Sequence, residues 1–204
     1  MSEDFPSGFF ARIDEDPDPA FYAVPRLVTH LDDAAIAAVG ELYAELGVDG
    51  EVLDIMSSWV THLTSKPTRL TVLGMNESEL AANAMADERI VHDLNADPLL
   101  PLPDESVDDV VCCASVDYLT RPVEVFRDVA RVLRPGGRLV CTFSNRVFPT
   151  KAIRGWLHAG EEERPDIVAE YFRRSRVFGP PVVARRTPRH HPGDPLWGVW
   201  ASRL

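Results

Sequence analysis

From residue 52 onward, short apolar runs alternate with amphipathic stretches. Val52, Leu53, Ile55 and Met56 form the first run, broken only by Asp54. A run of this length, bounded by turn residues, reads as a buried strand over 52–56. The same reading gives strands at 69–73 (closed by Gly74), 89–92, 109–114 and 138–143. Residues 77–85 predict a helix that Asn76 or Ser78 can cap. Residues 123–133 predict another, with Val125, Phe126, Val129, Val132 and Leu133 on one face. Pro135-Gly136-Gly137 stops that helix and turns the chain. A brief helical piece is expected at 59–63, a loop at 95–105, and further helices at 150–158 and 162–174. Two late strands, near 177–185 and 197–202, flank a Pro/Gly/His loop in the manner of a hairpin. This alternation specifies an α/β fold, a mostly parallel sheet with helices on both faces. The hairpin adds one antiparallel strand at or near an edge.

The first 31 residues break the pattern. Pro6, Pro17, Pro19 and Pro25 block regular helix, yet Phe5, Phe9, Phe10, Phe21 and Tyr22 need something to pack on. Residues 1–31 therefore read as an N-terminal arm or lid. Asp32 and Asp33 stand where an N-cap belongs, Ile36, Val39, Leu42, Tyr43 and Leu46 follow at helical spacing, and Gly47 and Gly50 end that helix. The expected organisation is one domain over 1–204, with 32–204 as its α/β core.

Composition narrows the partners. The 204 residues are 45% hydrophobic, enough for one full core. A net charge of −11 repels phosphate backbones, so no nucleic-acid partner is expected. No apolar run is long enough to cross a membrane, and MSEDFPSGFF lacks the apolar centre of a secretory signal, so a cytoplasmic protein with no membrane contact is expected. Cys112, Cys113 and Cys141 lie in apolar strands without CxxC spacing and read as reduced thiols. His190, His191 and Asp194 fall in a Pro/Gly loop, and no metal site is expected there.

Three polar residues end successive strands: Asp54, Asn76 and Asp93. In a doubly wound sheet the ligand lies outside the carboxyl ends of the strands, so all three face one crevice. Their chemistry suits a nucleoside. A polar group after the second strand can bind ribose hydroxyls, and Asp93 can accept from an adenine amino group while the Leu94 N–H donates to a ring nitrogen. No G-x-G-x-x-G follows the first strand, which argues against a nicotinamide oxidoreductase.

These residues, with GMNES at 74–78, DLNADPLLPLPDESVDDVV at 93–111 and VEVFRDVARVLRPGGRLVCTFSN at 123–145, resemble the class I S-adenosylmethionine-dependent methyltransferases of the type 11 kind. The likeness covers about residues 50–145. It implies a Rossmann-like seven-stranded sheet of order 3-2-1-4-5-7-6 with strand seven antiparallel, S-adenosylmethionine as cofactor and S-adenosylhomocysteine as product. It implies that Asp54 orients the first turn and that Met56, Ser57 and Ser58 border the methionine part. Asn76 would meet the ribose, with Met75 beside it among the cofactor-binding residues, Asp93 and Leu94 the adenine, Ser115 and Val116 the reacting methyl, and Asn145 the acceptor pocket.

One departure stands out. Where that family carries D-x-G-x-G-x-G, this chain has Asp54-Ile55-Met56-Ser57-Ser58-Trp59-Val60. Either the turn is reshaped, with the serine hydroxyls replacing backbone contacts, or the pocket is partly closed. The first case implies a methyltransferase acting on a small-molecule acceptor, as a monomer or homodimer. The second implies a non-catalytic protein of the same fold, a cofactor-binding or partner subunit. Within the arm, Tyr22, Arg26 and His30 are the candidate catalytic groups, His30 as a base and Arg26 as a carboxylate clamp. His62, Trp59 and Trp156 read more simply as structural residues.

Overall fold

The structure, a computed structural model, describes residues 5–190 and 192–204. His191 of the candidate metal pattern and the first four residues of the arm lie outside these. The chain runs α1 (Asp18–Phe21), α2 (Asp33–Leu46), β1 (Glu51–Ile55), β2 (Arg69–Gly74), α3 (Glu77–Ala82), β3 (Glu88–Val91), β4 (Val107–Cys113), a 3-10 turn (Val116–Tyr118), α4 (Pro122–Val132), β5 (Leu133–Phe143), α5 (Arg154–His158), α6 (Arg164–Ser175), β6 (Val182–Arg185) and β7 (Trp197–Ser202). The sheet order is β3-β2-β1-β4-β5-β7-β6. β7 is antiparallel to both β5 and β6, and the other pairings are parallel. The expected topology is the observed one.

Local chemistry fixes the ends of the elements. Asp32 caps α2 by accepting from Ala35 N at 2.8 Å, and Gly47 ends it at φ 66°. Asn76, not Ser78, caps α3. The central strands bury both faces, one under α4, α6 and the aromatic residues around Trp156, the other under α2. Phe5, Phe9 and Phe10 of the arm lie against the first of these cores, with Phe5 and Tyr171 rings 5.6 Å apart. Gly155 lets Phe9 in, since a Cβ there would strike its ring.

Three sequence expectations need correction. Residues 59–63 form no helix, because Thr61 and Trp59 are captured by partners described below. The helix expected over 77–85 stops at Ala82. Pro135-Gly136-Gly137 does not precede its strand. It is a bulge inside β5, where the register against β4 jumps from Val107↔Leu133 to Asp109↔Arg138.

The RVL stretch that carries much of the family likeness has a structural job. The Arg131 guanidinium holds Leu100 O at 2.9 Å, Leu102 O at 2.8 Å and Asp104 at 2.7 Å, pinning the long loop ahead of β4. Asp128 completes this clamp by accepting from Leu100 N at 2.6 Å.

Candidate functional site

The chain order reverses between β1 and β4, which opens a crevice at the carboxyl ends of the strands. The first turn forms its floor. Asp54 is buried, and its Oδ2 accepts from Ser57 Oγ at 2.7 Å and from Thr61 Oγ1 at 2.6 Å. Burial pushes its carboxyl up to about 6, against the pull of these two hydroxyls. Met56 takes the left-handed conformation, φ 53°, that glycine usually supplies. Ser57 N then donates to Leu73 O at 2.8 Å. The turn thus leans on β2, and Gly74 makes that possible: a Cβ there would collide with Ser57 O. The close approach is made by a glycine on the neighbouring strand. Ser115 Oγ ties the next strand end in, 2.9 Å from Cys113 O and 3.2 Å from Met56 O.

A cavity of about 110 Å³ lies above this floor. Met56, Ser57, Ser58, Met75, Asn76, Asp93, Leu94 and Ser115 all line it, and so do Tyr22, Arg26 and His30 from the arm. Asp54 lies below, facing the hydroxyls of the turn. Asp93 Oδ1 accepts from Asn95 N at 2.9 Å and Ala96 N at 3.3 Å, an Asx turn that leaves Oδ2 without a donor among the described residues. The buried Leu94 has no protein acceptor for its N–H among the described residues. Val116 lies in the core, Asn145 is exposed and lines no cavity described here, and Trp156 is buried edge-on to Phe143. Trp59 and His62 line a smaller cavity beneath the turn.

The arm roofs the crevice. Asn76 Nδ2 donates to Tyr22 O at 2.8 Å and Ala23 O at 3.3 Å; Arg26 N donates to Glu79 at 2.6 Å; Trp59 Nε1 donates to Val28 O at 3.2 Å. Lys151, wholly buried, holds Asp14 and Asp18 at 3.1 Å each, while Arg12 bonds both oxygens of Asp18. The Arg26 guanidinium sits in an aromatic box, 4.6 Å from the Phe21 centroid and 5.3 Å from that of Phe148, with Nη1 buried and without a partner among the described residues. Burial raises the Tyr22 phenol, so it stays protonated. Burial lowers His30, against the pull of Glu79, so its ring stays neutral near pH 7.

A second cavity, about 350 Å³, adjoins the first. The two share His30, Ala114, Tyr118 and Phe148, and Arg146 and Asp194 line the far side of the second. Sequence reasoning missed Asp18, Glu79, Asn95, Tyr118 and Phe148. Only Glu79 had a signal: Asn-x-x-Glu at 76–79 is a capping-box pattern.

Residues 53–141 match the methyltransferase domain family. Over 131 residues the chain is 28% identical to the methyltransferase GfsG of Streptomyces halstedii, a match covering 58% of this chain and 47% of that protein. The chain thus spans about half the length of this curated relative. A S-adenosylmethionine-dependent methyltransferase of Aquifex aeolicus superposes with a TM-score of 0.59 at 15% identity, covering 86% of this chain and 92% of that one. One from Mesorhizobium loti gives 0.54 at 17% identity, covering 82% and 100%. Among the described residues no helix is long and apolar enough to cross a membrane.

Proposed function

We propose that this class I S-adenosylmethionine-dependent methyltransferase carries the methyl group of its cofactor to a small organic acceptor, within one domain whose residues 5–31 act as the lid. The observation that supports it best is the set of polar groups the protein leaves unpaired in the first cavity. Asp93 Oδ2 can accept and Leu94 N–H can donate, the pair an adenine edge requires. Ser57 and Ser58, in the reshaped first turn, border the space for the methionine part.

The cofactor supplies an electrophilic methyl on a sulfonium. The protein's part is to align the acceptor with it and to take a proton if the nucleophile carries one. The acceptor enters the second cavity and meets the methyl where the two cavities join, at Ala114, Tyr118 and Phe148. His30 lines both cavities and stays neutral, so it can receive that proton. Arg26 Nη1 offers an unpaired cationic donor to an anionic group of the acceptor.

Calorimetry with S-adenosylmethionine and S-adenosylhomocysteine tests the reading. Both should bind, and Asp93→Ala should weaken both about tenfold or more. Absence of heat at millimolar ligand sinks it.

A further inference from the structure

The residue that the family likeness assigns to the ribose is Asn76, and the structure leaves it little to offer. Its Oδ1 accepts from Glu79 N at 3.1 Å, capping α3. Its Nδ2 is engaged by the arm, donating to Tyr22 O and to Ala23 O. An amide has two donor hydrogens and an acceptor oxygen with two lone pairs, so a single lone pair remains.

Glu79 lines the same cavity, one turn along α3. In a full capping box its carboxylate would reach back to the backbone N–H of Asn76. It does not. Oε1 accepts from Arg26 N at 2.6 Å and Oε2 from Ser58 Oγ at 2.5 Å. A carboxylate has about four acceptor sites, so one remains open on each oxygen. Two acceptors on one rigid group match two neighbouring hydroxyls.

Resting on the nucleoside reading above, we propose that Glu79, and not Asn76, is the residue that binds the vicinal diol of the cofactor's ribose. Because the same carboxylate holds Arg26 N, the diol and the arm share one anchor. Filling the two open sites adds to the bond with the arm without displacing it, and it fixes the Glu79 rotamer that the arm needs.

The test compares adenosine with 2′,3′-dideoxyadenosine by calorimetry, alongside S-adenosylhomocysteine. The unmodified protein should prefer adenosine by about tenfold or more. Glu79→Gln, of the same shape, should shrink that preference to within about threefold, whereas Asn76→Ala should keep it. A preference intact in Glu79→Gln, or lost in Asn76→Ala, overturns the proposal and leaves the cofactor reading standing. Failure of all three ligands to bind the unmodified protein overturns both. A readout without variants guards against misfolding. Hydrogen exchange at the Arg26 amide should slow when adenosine saturates the protein and stay unchanged with the dideoxy analogue; equal protection by the two ligands also overturns the proposal.

Discussion

The floor and the roof of the crevice are built by different means. The floor follows from the sheet: β1, β2 and β4 are in parallel register, and their ends can lie nowhere else. Even the unusual first turn is held by neighbours within the floor, through Asp54, Leu73 O and Ser115. The roof has no strand to fix it. Residues 5–31 are fastened by ion pairs to Lys151 and by hydrogen bonds to Asn76, Glu79 and Trp59. A floor set by backbone register tolerates side-chain change, whereas a roof set by side chains does not. On the function proposed above, ligand entry depends on the roof.

The largest break should come at Lys151. Lys151→Met leaves Asp14 without its cation and Asp18 with Arg12 alone, and losing the lysine from the buried pair with Asp18 costs about 3 kcal/mol. Urea unfolding should show that loss, and limited proteolysis should cut first within 5–31. Cuts in the strand-end loops ahead of the arm would erase the distinction between the two regions.

A smaller effect lies in the floor. Burial lifts Asp54 from 3.8 to about 6, so the unfolded chain releases this proton first. Its contribution to stability falls as pH rises from about 4 to about 6 and is level above that. Asp54→Asn keeps an acceptor and removes the titration. Relative to the unmodified protein it should gain on the order of 2 kcal/mol between pH 4 and pH 7. Thermal melts across that range would check it, and parallel curves would mean that the carboxyl is not desolvated as the structure shows.

The smallest concerns Ala114, which like Met56 adopts a left-handed conformation at a strand end, φ 52°. Ala114→Gly relieves that strain at the expense of unfolded-chain entropy, for a net gain of about 0.5 kcal/mol. A lower melting temperature would show the floor to be less strained than its angles indicate.

The same contrast explains what could be read in advance. Strand runs, the amphipathic α4 and the hairpin all carry periodic signals, and the sheet order followed from the motifs that resemble the family. Most floor residues were legible for that reason. The roof was legible only as an arm that packs. Its hydrogen bonds to Asn76, Glu79 and Trp59 end on its backbone atoms (Tyr22 O, Ala23 O, Arg26 N and Val28 O), and backbone atoms leave no trace in residue identity. The expected helix at 59–63 failed for a related reason. Trp59 and Leu63 have helical spacing, but Asp54 takes the Thr61 hydroxyl and Val28 O takes the Trp59 indole. Tertiary partners outweigh a propensity of a few tenths of a kcal/mol per residue. Glu79 was hidden behind a capping pattern that it only half fulfils. The missing glycines looked like a gap because the compensating Gly74 belongs to a different strand.

The bond between the Trp59 indole and Val28 O has a practical side. Trp156 and Trp197 are buried, and Trp200 is set within β7. Among the described residues, Trp59 alone of the four tryptophans hydrogen-bonds from floor to roof. If the arm lifts, its indole N–H passes from a peptide carbonyl to water, and its emission should move to the red. The chain thus carries its own optical gauge of whether the crevice is open, readable in a cuvette without any label.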